Sequence, residues 1–437
     1  MLGNSISILY SAILSDQKAL QIRNRNIANA DNPDYAKEEP ALETLPSVGG
    51  IKVSDIRRVS DEILHHQVLD SRSRYEGYKE LKNLLEGIAP YFSETDKGGL
   101  QNYTDRFFQS LQDFLREPTN VAAQKALYTE ADSLVKAIRR RHDLLAERGR
   151  AVLDNFSQSV EEINRLAEKL GKLNGEIAKA YAKSYADAKD YKYLLDERDK
   201  LLNELSRFAG ITYRTDRIGR VEVSIGENES TAAGFIKLVD FNGDYNRLTF
   251  VGDSANPASS YVVDKSGIRW NISFFKRGLL GAYSAALNHY EVLKTDLDTL
   301  SGNLINNLYL NGLGKNLFTG NDSSDIALNF TESDLQNYDK TQASADADTA
   351  QSAWEAAKAD LQTLNADFSD ALTDVTIKEE TEGDLYQYLK DKYNQKVGVN
   401  LDEELSEVMK LQQHYQAVSK MIATSTRLLD YLLNSIR

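Results

Sequence analysis

Residues 401–437, LDEELSEVMKLQQHYQAVSKMIATSTRLLDYLLNSIR, decide how this chain is read. Leu401, Val408, Tyr415, Ile422, Leu429 and Ile436 recur every seven residues without a break. Leu411, Val418 and Leu432 form a neighbouring row. A seven-residue apolar repeat puts one stripe on a helix, and that stripe needs a second helix to cover it. The matching pattern lies at the other end of the sequence. Ile6, Ile13, Leu20 and Ile27 keep the same repeat, with Leu2 and Leu9 beside them. This first helix should stop at the turn signal Asp31-Asn32-Pro33-Asp34. The simplest arrangement packs one end against the other as a coiled coil, with surplus apolar surface left for contacts between copies.

Composition narrows the rest. The length of 437 residues allows more than one core. Apolar residues at 41% and charged residues at 27% are ordinary for a soluble protein. No apolar run approaches the ~18 residues of a membrane span, so no membrane insertion is expected. The first ten residues carry no base before their apolar positions, unlike a standard secretory signal. The absence of cysteine excludes disulfides, thiolate metal sites and a cysteine nucleophile. Six prolines, none after Pro257, leave room for very long helices. The net charge of −14 is concentrated in one place: residues 321–400 carry 17 acids against 6 bases. Residues 1–320 are nearly balanced, at 44 against 42. Nucleic-acid binding needs clustered positive charge, so no nucleic-acid partner is expected.

Between the two ends the pattern is mainly helical. Residues 36–54, with Pro40, Pro46 and Gly49-Gly50, read as an extended connector. Helical stretches follow over 55–85, 101–115 and 191–208. From Val121 to Ile177 the apolar spacing fits one long helix or two stacked ones. At Ile211 the period changes to two, as in Val221, Val223 and Ile225 and again in Ile268, Trp270, Ile272 and Phe274. Helix resumes near Leu279, residues 311–329 are loop-like, and 342–374 form an acidic helix with one docked stripe. The expected fold is therefore mainly α: terminal helices in a coiled coil, an elongated helical bundle and a small inserted β domain. The domains expected are 1–54 plus 395–437, 55–210 plus 276–394, and an outer β domain at 211–275.

No motif of chemistry is complete in this sequence. Gly312-Leu313-Gly314-Lys315 lacks the earlier glycine and the Ser/Thr of a phosphate loop. Asp240, Asn242 and Asp244 begin like a calcium loop, but Tyr245 and Val251 occupy its glycine and glutamate positions. The five histidines form no chelating motif, and adjacent His65 and His66 should point to different faces of a helix. Ser254 lacks the second glycine of a nucleophile elbow. No catalytic residue, metal or cofactor is expected. Arg139-Arg140-Arg141 reads as a solvated helix face or as a contact for an acidic patch on a neighbouring copy.

The stretch 21–30, with Asn26-Ile27-Ala28-Asn29 and then Asn32-Pro33-Asp34-Tyr35, resembles the N-terminal signature of bacterial flagellar axial proteins. In that signature Asn-Ile-Ala-Asn is followed by Thr-x-Gly-Tyr, so the turn here departs from it. Gln412-Gln413-His414-Tyr415-Gln416-Ala417 resembles the C-terminal partner motif Gln-x-x-Tyr-Gln-Ala. Asp196-Glu197-Arg198-Asp199, running to Leu205, and Leu317-Phe318-Thr319-Gly320 are similar to segments of the hook-associated protein 1 family, the hook–filament junction proteins. The acidic stretch 331–394 has no counterpart in that resemblance, and the chain is short for the family.

The resemblance implies a non-enzymatic adaptor of the flagellum, outside the cell, exported unfolded by the flagellar type III system. It implies as partners further copies of the chain, the hook protein, the second junction hook-associated protein and an export chaperone on the C-terminal helix. Ile6, Ile13, Leu20 and Ile27 would meet Val408, Tyr415, Ile422, Leu429 and Ile436 in an inner tube. The alternatives are another axial protein of hook or filament type, more remotely an enzyme housed in 211–275, and a cytoplasmic coiled-coil scaffold. The Asp196–Leu205 segment argues against the first, and the two end motifs against the last.

Overall fold

The computed structural model describes residues 2–46, 49–93, 99–187, 191–226 and 234–436. Helix α1, Leu2–Ala28, stops two residues before the Asp31–Asp34 turn. The expected connector is instead a hairpin, in which β1, Glu38–Leu45, pairs antiparallel with β2, Gly50–Arg58. Pro40 is tolerated because both strands of a two-stranded ribbon are edges. Since β2 takes up residues 55–58, helix α2 begins only at Glu62 and ends at Glu86. Asp61 caps it, accepting from the Leu64 amide at 3.0 Å.

After the short α3, Ala89–Phe92, comes α4, Leu100–Arg116. Val121–Asp187 is then a single helix, α5, of 67 residues. At 1.5 Å per residue it is about 100 Å long and forms the spine of the molecule. Helix α6, Lys192–Phe208, packs back along it.

The β segment makes two antiparallel sheets. One orders β3 (Ile211–Thr215), β4 (Val221–Ile225) and β5 (Ile236–Val239); the other β6 (Thr249–Val251), β7 (Tyr261–Val263) and β8 (Arg269–Asn271). Val223, Ile225, Leu238 and Val262 lie in the same buried cluster as Phe156, Val160 and Ile163 of α5, so the sheets have no separate core.

Two buried asparagines on α5 fasten them. Asn174 donates to the carbonyls of Val221 and Asp240, each at 2.8 Å, and accepts from the Val221 amide at 2.9 Å. Asn164 brackets Leu248 in the same way, with both bonds at 2.8 Å. Gly243, with φ +94°, and Gly171 face each other so closely that a Cβ on either would lie within 2.5 Å of the other's carbonyl oxygen. That approach explains a glycine inside a long helix, where it otherwise costs about 1 kcal/mol.

Helix α7, Gly278–Asn307, runs to the far end of the bundle. There the chain makes two small ladders, β9 (Tyr309–Leu310) with β10 (Lys315–Asn316), and β11 (Phe318–Thr319) with β12 (Ala327–Leu328). The short α8, Glu332–Gln336, follows. The acidic stretch is one helix, α9, Ala343–Val397, extending 23 residues past the expected end at 374. Ala350, Ala353, Ala357, Leu361, Leu364, Phe368 and Val375 form its docked stripe, spaced by three, four and seven. Helix α10, Leu401–Ile436, then lies antiparallel along α1, with Asp16 beside His414 and Arg23 beside Glu404.

If the sheets depend on α5, Asn174→Ala should lower unfolding stability by roughly 2–3 kcal/mol, because three buried backbone groups lose their partner. Urea denaturation followed by circular dichroism measures this; an unchanged midpoint would refute the dependence.

Candidate assembly interface

The terminal pair carries the residues singled out from the sequence. Helix α1 is contacted on two sides. The hairpin meets it where Ser15 donates to the Ile51 carbonyl at 3.0 Å and Lys18 to that of Val53 at 3.4 Å. On the other side lies α10. The most buried row of α1 falls between the two contacts, at Ser15, Ala19, Ile22 and Asn26. Ile6, Ile13, Leu20 and Ile27 are half-buried beside it. On α10, Val408, Tyr415, Ile422 and Leu429 are half-buried, Glu404 and Val418 are buried, and Leu401 is exposed. The side chain of Ile436 lies outside those described. Gln412, Gln416, Ala417 and Ala28 are exposed, and Asn29 is half-buried, its amide donating to the Arg25 carbonyl at 2.9 Å.

Large apolar side chains remain in solvent on both helices. These are Ile8, Tyr10 and Leu14 on α1, and Leu401, Leu405, Met409, Met421, Leu428 and Tyr431 on α10. Tyr431 is 74% exposed.

Asn26 explains the N-terminal motif physically. It is fully buried and uses both halves of its amide. Its Oδ1 accepts from the Tyr35 hydroxyl at 2.8 Å and from the Glu38 amide at 3.0 Å. Its Nδ2 donates to the Glu38 carbonyl at 2.9 Å and to Glu404 at 3.1 Å. The other oxygen of Glu404 takes Arg23 at 2.9 Å. One side chain thus joins the end of α1, the loop carrying Tyr35, the first residue of β1 and the start of α10.

A second polar cluster joins this unit to the bundle. Arg58, the last residue of β2, donates to Asp196 and to Asp199, both at 2.8 Å. Arg198 holds Asp199 at 2.8 Å and reaches the Gly219 carbonyl at 2.8 Å. The Ala36 amide donates to Asp196 at 3.3 Å. The Asp-x-Arg-Asp sequence is therefore a buried ion cluster at the base of the bundle.

Burial pushes the Asp199 carboxyl up, but Arg198, Arg58 and His65 outweigh it and hold the group below the usual carboxylate range. For Asp196 burial outweighs Arg58 and the Ala36 amide, and the carboxyl is raised. Beside them His65 is buried; its Nδ1 lies 2.7 Å from the Tyr213 hydroxyl and its ring stacks on Tyr393. Burial pushes its pKa down to about 4. His66 also stacks on Tyr213, at 4.0 Å, so the two histidines meet one ring despite their adjacent positions.

The other sequence candidates are accounted for locally. The amides of Asn311 and Gly312 do cradle an anion, but it is the chain's own buried Asp346, which also accepts from the Tyr338 hydroxyl at 2.7 Å. Asp240 closes its turn by accepting from the amides of Asn242 and Asp244. Arg141 is buried and donates to the Tyr91 carbonyl at 2.7 Å, whereas Arg139 and Arg140 are exposed. Sequence reasoning missed Asp16, Arg23, Arg58, Glu404 and His414. Asp16 and Arg23 are seven residues apart on the row of α1 that faces α10, so polar residues placed within a seam were a usable signal. Arg58 gave none.

Asn26→Ala leaves buried Glu404 and the Tyr35 hydroxyl without this partner. We expect amide exchange across 29–38 to accelerate by at least tenfold, since even about 1.4 kcal/mol of local stability is a factor of ten, with α5 unchanged. Acid should also weaken the base of the bundle. His65 is neutral in the fold down to about 4 and ordinarily titrates at 6.5, so the unfolded state binds the proton first. Stability is lost as pH falls from 6.5 to 4, by about 3 kcal/mol in full. Urea midpoints at pH 7 and pH 4.5 should differ less in His65→Gln than in the parent; equal differences would refute the assignment.

Residues 85–322 match the family model described as the flagellar hook-associated protein FlgK helical domain. Residues 390–435 match the flagellar basal body rod FlgEFG protein C-terminal model. The flagellar hook-associated protein 1 of Escherichia coli (strain K12) is 24% identical over 287 residues, covering 62% of this chain and 48% of that protein. That of Bacillus subtilis (strain 168) is 21% identical over 363 residues, covering 74% and 70%. The solved flagellar hook junction protein FlgK from Burkholderia pseudomallei superposes with a TM-score of 0.48 at 19% identity, covering 58% of this chain and 46% of that one. The chain spans about half the length of the enteric relatives it matches. The helical-domain model alone takes in more than half of these residues, and the chain belongs to the FlgK family of flagellar hook-associated proteins.

Proposed function

We propose that this protein is a structural layer of the bacterial flagellum at the distal end of the hook, outside the cell, where it joins hook to filament. It acts by packing and catalyses nothing. The observation that carries this reading is the terminal pair: α1 and α10 cover each other along one side and leave Tyr10, Leu14, Leu405, Met409, Met421, Leu428 and Tyr431 in water. Surface of that kind marks an assembly site. Side-by-side copies would bury these rows as an inner tube, with Ile6, Ile13, Leu20 and Ile27 and Val408, Tyr415, Ile422, Leu429 and Ile436 at the seam inside each copy. Hook protein below and the second junction hook-associated protein above would meet the two ends of that tube. Before assembly the same α10 surface would suit an export chaperone, and a chain without cysteine suits export in the unfolded state.

The test is a deletion in the source bacterium. Hooks without filaments, with flagellin free in the medium, are the expected phenotype. Missing hooks would place the protein lower in the axis, and normal swimming would refute the role. Complementation with Tyr415→Asp, Ile422→Asp or a chain ending at Asn400 should fail to restore filaments, while purified Tyr415→Asp keeps the helical content and urea midpoint of the bundle. Normal assembly by either point variant would overturn the seam.

A further inference from the structure

The acidic helix α9 has no counterpart in the family resemblance, and its outer face is unmatched within the chain. Between Lys358 and Lys378 it carries Asp360, Asp367, Asp370 and Asp374 and no base. Asp367 and Asp370 are exposed and form no ion pair among the described residues. Among the described residues Asp360 bonds a neutral amide, that of Asn303 at 2.7 Å. Asp296 of α7 adds a fifth carboxyl to this surface; burial, then Asp367 and Asp360, push its pKa up to about 6. Among the described residues only Asp374 of this group has a counter-charge on its own chain, Lys378 at 2.7 Å, and the remaining like charges are crowded together.

The opposite face of the bundle supplies one at the same height. Arg141 of α5 donates to the Tyr91 carbonyl of α3 at 2.7 Å, and Phe92 of α3 packs on Phe368 of α9 with ring centres 5.8 Å apart. At this level α3 therefore stands between α5 on one side and α9 on the other. Arg139 and Arg140 adjoin Arg141, are exposed, and form no ion pair among the described residues. Asp143, one turn on, instead lies 3.6 Å from His142.

A basic patch and an acidic patch at one height on opposite faces of the same chain are complementary head to tail. Such a heterologous contact repeats around a ring, whereas a two-fold contact would set like charges together. We infer that Arg139 and Arg140 of one copy dock on the Asp367–Asp370 face of α9 in the next, so that α9 is the lateral staple between neighbouring bundles in a layer. This rests on the reading that copies stand side by side.

The absence of native cysteine makes the contact directly testable. The deletion strain is complemented with the full chain bearing Arg139→Cys and Asp370→Cys together, or either alone. Isolated flagella are treated with a short bismaleimide and blotted for this protein. The double variant should give a ladder of covalent dimers, trimers and higher species. A mixture of the two single variants should stop at dimers, and each single variant alone should stay monomeric. Protein present in the flagella but monomeric in the double variant would overturn the contact and leave the junction reading intact. Dimers from Arg139→Cys alone would also overturn it, in favour of a two-fold contact. Flagella lacking the protein altogether would overturn both.

Discussion

The buried carboxylate of Glu404 is the constraint around which the two ends of the chain are arranged. A carboxylate out of water needs an opposite charge and donors for its lone pairs. Here Arg23 and Asn26 do so from the opposite end of the sequence. Because Asn26 also holds Tyr35 and both backbone groups of Glu38, the position of α10 on α1 is tied to the path of the loop and hairpin. Apolar heptads alone leave register weakly fixed, since Leu, Ile and Val pack almost as well one repeat along. Polar contacts at single seam positions remove that freedom. Asp16 with His414 adds a second such point three turns away.

Arg58 plays the corresponding part between the terminal unit and the bundle. Its guanidinium meets two carboxylates from one turn of α6, so the end of the hairpin is held against the base of the bundle in one orientation. In the same cluster proton uptake favours the unfolded chain at His65 and Asp199 and the folded chain at Asp196. The joint between the two units is thus more acid-sensitive than the apolar spine above it.

Much of this was legible in the sequence, and the exceptions have physical reasons. Helix boundaries at Ala28, Arg116, Phe208 and Asn307 followed from turn residues and from apolar spacing of three and four. The hairpin at 38–58 was read as a connector because its prolines and glycines hide a ribbon that needs only edge strands. The sheets at 211–271 were legible as strands, but their reliance on α5 was not. Asn164 and Asn174 look like ordinary surface polar residues until the partner backbone is seen. The C-terminal half of α9 escaped because past Val375 its inward side is tyrosine and charge, with Tyr386 stacked on Tyr75 and Glu379 paired with Lys82. Apolar periodicity picked out Ile6, Ile13, Leu20 and Ile27, which are half-buried, but not the most buried row of α1 through Ser15, Ala19, Ile22 and Asn26, and the polar contacts there depend on chain-wide juxtaposition.

Helices α5 and α9 also have a mechanical meaning. Each runs without a break along the bundle, and a continuous hydrogen-bonded helix resists bending far better than a chain of short segments. Force applied at the loops near Leu335 is therefore carried to the base with little loss. Between bundle and terminal pair the backbone crosses in two short places, from Arg58 to Glu62 and from Val397 to Leu401. The two units can shift against each other only by bending at those crossings, and at the first of them Arg58 already ties the hairpin to Asp196 and Asp199.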